Sequence, residues 1–303
     1  MTLKKIFFFL FAVLVSVSFS FGQGKTNLLN AKTVGKIGVK SLDQITADAT
    51  EKPLAYGVVK DDDILWSKIV WEHIDLNQKI NHPYYYPIDS TLGSERLSLY
   101  NTITKGLKKG KFKIFEDSYF IKEKSVEKVD SVLVNICTYN KMPKRITVKP
   151  FEITSFAIKG MWFFDKLQGE LKYRLLAIAP LVSEEAAAKC VVLNAKQRER
   201  KNGRKYTSPD LGDPKPLYWV YYPEIRQLLH DAKVFNPENG ARPISFDHLL
   251  NARRFSSVIV QEENMYGNRS IKKYNPKNSL FQLLEANKIK EDIRNREIDM
   301  WNY

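Results

Sequence analysis

Two apolar runs, ITSFAIKGMWFF at 153–164 and LKYRLLAIAPL at 171–181, stand apart by only the polar stretch DKLQGE. That arrangement leaves few folds open. It predicts a β-hairpin with strands around 156–164 and 171–179 and a turn at 165–169. Both strands carry large apolar side chains at odd and even positions, so the sheet they begin needs cover on both faces. Strands elsewhere are interspersed with helical patterns, without the regular alternation of a parallel βαβ series. The expectation is an α+β fold: a mixed, largely antiparallel sheet with packed amphipathic helices, a flexible N-terminal arm and a C-terminal helix.

The stretch DDDILWSKIVWEHIDLNQKINHPYYYP at 61–87 is rich in aromatic and charged residues. Read at 100° per residue, Leu65, Trp66, Ile69, Val70, His73, Ile74, Leu76, Asn77 and Ile80 share an arc about 180° wide. The expectation is an amphipathic helix capped by Asp62 or Asp63 and stopped by Pro83. Trp66 then faces the core, while Trp71, about 140° away on the wheel, falls among polar residues and is left to meet another segment or chain.

A second helix is expected from Ser94 through Leu97, Tyr100, Ile103 and Leu107 to a stop at Gly110, followed by a short strand with Phe112 and Ile114. Downstream, the pattern predicts a strand at 217–221, a helix opened by Pro223, a helix begun by Ser245 and a strand at 257–261. A terminal helix carries Leu280, Leu283 and Leu284 near its start, and its charged second half is expected to fray.

The amino terminus, MTLKKIFFFLFAVLVSVSFSFGQGK, has a lysine pair, an apolar run and small residues before Gln23. This predicts a secretory signal peptide over 1–22. A polar arm over 23–60, a globular core over 61–275 and a C-terminal helix over 276–303 follow. The net charge of +14 loses Lys4 and Lys5 with the signal, leaving +12. Export argues against nucleic acid and for an acidic protein surface or membrane phosphates as the partner of that charge. Cys137 and Cys190 are an even pair that could bridge, or two buried thiols.

Little in the sequence speaks for chemistry. His73, His82, His230 and His248 show no metal-ligand spacing, Asp61–Asp63 lacks the alternation and glycine of a calcium loop, and no phosphate-binding glycine pattern occurs. Ser257, His248 and Asp247 could be drawn as a triad on paper, but adjacent Asp and His side chains diverge and no nucleophile elbow is present. No catalytic, metal or cofactor residue is therefore expected. Aromatic residues and prolines at element ends, and the basic run KQRERKNGRK at 196–205, are better suited to contact. The candidate partner interface is Trp71, Tyr84, Tyr85 and Tyr86, with Lys196, Arg198, Arg200 and Lys201.

The segments LWSKIVWEHIDLNQKINHPYYYP, IKGMWFFDKLQGELKYRLLAIAP, LYWVYYPEIRQLLHDAKVFNPENG and FDHLLNARRFSSVIVQEEN together resemble the GldN (PorN) family of Bacteroidetes gliding motility and type IX secretion, from about Asp61 to Tyr274. The resemblance implies a periplasmic protein without catalytic activity, peripherally associated with the inner face of the outer membrane. It implies a ring built with an outer-membrane lipoprotein (GldK/PorK), self-association in that ring, and contact with the periplasmic part of the motor protein GldM/PorM. The alternatives are a periplasmic cell-wall hydrolase and a binding module for phosphate or lipid head groups.

Overall fold

The computed structural model describes residues 52–88, 96–124, 134–139, 142–182, 214–234, 236, 244–276 and 278–301. The expected signal peptide, most of the arm, Ser94, the Cys137 and Cys190 side chains, and the basic run with Lys196, Arg198, Arg200 and Lys201 lie outside the described residues.

The fold is α+β, built on one antiparallel sheet. The predicted hairpin is its centre: β6 (Ile153–Asp165) pairs with β7 (Glu170–Val182) from Ile153 opposite Val182 to Asp165 opposite Glu170. Asp165 makes the turn. Its carboxylate accepts the Leu167 and Gln168 peptide N–H groups at 3.0 and 3.3 Å and pairs with Lys172 at 3.0 Å. Gly169, at φ 65°, supplies the left-handed step back into β7.

The stretch expected to be a helix is strand β1 (Ile64–Asp75), preceded by a single 3-10 turn at Asp61–Asp63. The apolar arc that suggests a helix also satisfies a period of two. Ile, Val and Trp favour the pleated surface, and β6 offers a whole edge to pair with, from Ile64 opposite Asp165 to Asp75 opposite Ser155. On its other edge β1 takes β12 (Val258–Glu262), from the far end of the chain. The sheet order is β12-β1-β6-β7-β8, where β8 is Lys215–Pro216; β9 (Val220–Tyr221) also pairs with β7. Three small antiparallel pairs complete the strands: β2 (Ile114–Phe115) with β3 (Glu123–Lys124), β4 (Val134–Tyr139) with β5 (Met142–Thr147), and β10 (Lys233–Val234) with β11 (Ile244–Ser245); Phe115 of β2 is also bridged to Trp219, beside β9.

One sheet face carries the main core. Ile74, Phe156, Ile158 and Ile178 meet Leu99, Ile103 and Leu107 of α2 (Leu99–Lys108), Ile225 and Leu229 of α3 (Tyr222–Asp231), and Phe246 and Leu250 of α4 (Phe246–Asn251). The short helix α1 (His82–Tyr85) inserts Tyr84 into the same core. Helix α2 starts at Ser98, whose Oγ accepts the Asn101 N–H at 3.2 Å, and it stops at Gly110 with φ 65°. Proline in the first turn opens α3 and Ser245 caps α4, as their sequences predict.

After α5 (Ile271–Tyr274), α6 (Ser279–Trp301) packs Ala286, Ile289 and Ile293 against Val70 and Ile259. It continues to Trp301 instead of fraying, because Ile293 is buried well into the charged half. The leucines near its start face outward: Leu280, Leu283 and Leu284 are about half exposed or more, beside Phe281.

The opposite sheet face is narrower. Ala157, Ala177 and Ala179 leave room on it for the indoles of Trp71 and Trp219, and the 115–120 segment closes over them with Phe115 and Phe120.

Candidate functional site

Trp71 does not project from the body. It is 5% exposed, its Nε1 donates to Ser118 Oγ at 2.9 Å, and its ring lies 5.9 Å from that of Tyr119. Trp66, expected in the core, is only partly buried against the α6 cluster. Residues five apart on a strand point to opposite faces, so the two tryptophans do separate, and the more buried one is Trp71. The tyrosine turn divides as well. Tyr84 is 1% exposed with its hydroxyl on the Arg254 carbonyl at 3.2 Å, Tyr85 is half-buried, and Tyr86 alone is exposed.

Beside Trp71, cross-strand from it on β6, Lys159 is buried. Its Nζ donates to the Ser118 carbonyl at 3.0 Å and lies 4.5 Å from the Tyr119 ring centre and 5.0 Å from that of Trp71. Burial lowers its pKa from the ordinary lysine value, against the pull of Glu263 and Asp117. This lysine ties the covering segment to the sheet.

The densest charged constellation sits on the other face. Glu72, fully buried on β1, accepts from Nη1 and Nη2 of Arg253, at 3.1 and 2.8 Å, and from the Ser257 hydroxyl. The Arg253 guanidinium lies 4.1 Å from the Tyr173 ring centre, 5.0 Å from that of Trp162 and 5.1 Å from that of Phe255. Burial works against its charge, but the Glu72 carboxylate and the Tyr173 phenol together outweigh this and hold the pKa above the usual arginine value.

Backbone geometry aims Arg253 there. It follows α4 at φ 50°, its N–H bonded to Leu250 O and that of Arg254 to Leu249 O, the paired bonds of a Schellman stop. Glycine is the usual residue at that step. An arginine held there indicates that its side chain is fixed by what it binds.

A second arginine cluster fastens the beginning of the described body. Arg226 forms a two-point pair with Asp247 at 3.1 and 3.2 Å and donates to the Leu54 carbonyl at 2.6 Å. The Tyr56 ring packs against Arg226 at 3.9 Å and Arg174 at 4.8 Å, while its hydroxyl donates to Asn251 at 2.8 Å. Arg174 also holds the Gly57 carbonyl at 2.9 Å. The paper triad has no geometric support: Asp247 serves Arg226 and Tyr222, Ser257 serves Glu72, and His248 is exposed.

Sequence reasoning missed Glu72, Arg253, Tyr173, Lys159 and Tyr56. A signal existed for the first. Read with period two, Glu72 alternates with Val70 and Ile74, and a carboxylate on an apolar face requires a buried cation or donor.

The site is thus made of ties that hold the sheet, its helices and residues 54–57 together, and large apolar side chains remain on the surface. That is the make-up of a structural body. A search among curated proteins returned no match. The chain belongs to the family of gliding motility associated protein GldN, which it matches over residues 59–302, and so to the components of gliding motility and type IX secretion. This is a gliding-motility structural family not known as enzymatic.

Proposed function

We propose that the protein is a non-catalytic structural part of the gliding and secretion machinery on the periplasmic side. It is held peripherally at the inner face of the outer membrane, in a ring complex with the lipoprotein GldK/PorK and further copies of itself. It also contacts the periplasmic domain of the motor protein GldM/PorM. The observation that carries this reading is the family match across nearly the whole described body. Two features support it. The buried charged residues Glu72 and Asp247 are taken up in ion pairs with Arg253 and Arg226, and Tyr86 with Leu280, Phe281, Leu283 and Leu284 offers exposed apolar contact area.

The test is affinity capture of the tagged chain from crosslinked cell envelopes, with mass spectrometry of what is retained. The lipoprotein and the motor protein should dominate the catch and be lost without crosslinker at high salt. A chain recovered alone, or only with cytoplasmic proteins, would refute the reading.

A further inference from the structure

A cleft of ≈ 510 Å³ opens between the sheet and α6, beside the Glu72–Arg253 pair. This is the size of a site that takes one or two large side chains or a small ligand. Trp162, Leu171 and Phe255 give it an apolar wall on one side and Ile293 of α6 another, with polar and charged groups making up the rest of the lining.

The charge around it is unequal. Glu72 lines the floor, but Arg253 and Ser257 occupy its carboxylate. It therefore presents no free negative charge. At the mouth, Lys290 and Arg294 stand one helical turn apart, with Glu297 almost a turn further on. Lys290 gives one of its donors to the Ser257 carbonyl at 2.7 Å. Arg294 is exposed and its side chain has no hydrogen bond or ion pair among the described residues.

A cationic ligand would be repelled at the end where the two cations lie. An uncharged apolar ligand would fill the walls and leave the mouth as solvated as before. A large apolar side chain next to a carboxylate uses both. The charged rail from Lys290 to Glu297 is about 10 Å long, the span of about three residues of extended peptide.

We propose that this cleft binds an acidic segment of a partner protein. One large apolar side chain enters between Trp162, Leu171 and Phe255, a flanking Asp or Glu carboxylate rests on Arg294 and Lys290, and a neutral or basic residue lies at Glu297. The proposal rests on the reading above only in taking the occupant to be a protein.

The test is selection of a displayed random peptide library on the immobilised mature chain, followed by binding of the synthetic consensus peptide measured by fluorescence anisotropy. Enriched peptides should pair an acid with a neighbouring Leu, Phe, Met or Trp. Arg294→Glu should weaken the consensus peptide by about tenfold or more, as reversing a charge at a desolvated contact does, without moving the melting temperature. Arg294→Lys should retain most of the binding, and a peptide with lysine in place of the acid should recover affinity for Arg294→Glu. No enrichment, enrichment without acids, or equal binding to wild type and Arg294→Glu each overturns the proposal. If the cleft fails while envelope capture still returns the assembly, the inference falls and the proposed function stands.

Discussion

Arg253 donates to both carboxylate oxygens of Glu72, 181 residues before it in the chain. The pair joins the turn after α4 to the C-terminal half of β1, and aromatic rings pack against the cation. A charge so placed is stabilising only as long as its counter-charge is present.

Glu72→Gln should therefore cost about 3–5 kcal/mol, the usual loss when one member of a buried ion pair is removed. Arg253→Gly should also destabilise, although it relaxes the left-handed backbone, because it leaves a fully buried carboxylate unpaired. Urea unfolding checks both through a lower midpoint at unchanged slope. A Glu72→Gln midpoint equal to wild type would show that the pair contributes nothing.

Trp71→Ala should lower stability by about 3–5 kcal/mol, the range for truncating a buried tryptophan, and Trp66→Ala by distinctly less. Thermal melts of the two variants decide the order. It is the reverse of what the helical wheel implies.

A methyl group on Gly160 would collide with the Tyr173 phenol, which lies across that glycine in the middle of the sheet. Gly160→Ala should thus cost about 1–3 kcal/mol of overpacking strain. Adding Tyr173→Leu should return part of that loss, so the two changes should be non-additive in a double-mutant cycle. Independent effects would mean that the ring moves aside freely.

Burial raises the pKa of Tyr100 to about 12, and it raises Tyr84, Tyr173, Tyr218 and Tyr222 further in the same direction. In the unfolded chain these phenols ionise near pH 10. The unfolded state therefore releases protons first as pH rises, and the folded state is disfavoured. Stability should be intact below about pH 10 and should fall as pH rises through the folded values. Following tyrosinate absorbance and circular dichroism together tests this. Most phenols should ionise only as the secondary structure is lost.

The hairpin was readable because its turn chemistry and its two apolar runs agree, and the caps at Ser245 and Gly110 because each is a local choice. The strand β1 was not. Its apolar residues satisfy periods of both 3.6 and 2, and what decides between them is the open edge of β6, which no local window contains. The ion pair between Glu72 and Arg253 was hidden for a related reason. Its members belong to elements brought together only by the sheet, and the left-handed arginine breaks the glycine rule that marks such a stop.

The place of β1 between β6 and β12 has a consequence for how the molecule is made. One of its edges is satisfied by residues 153–165, but the other waits for residues 258–262, near the end of the chain. A chain delivered from its amino terminus thus holds a tryptophan-rich strand with a bare edge until residues 258–262 arrive, and contacts this distant in sequence form slowly. In that interval the edge is open to strands of other molecules. Removing the last 50 residues would leave the sheet unfinished as well as shortening a helix, and truncation from that end should yield aggregates.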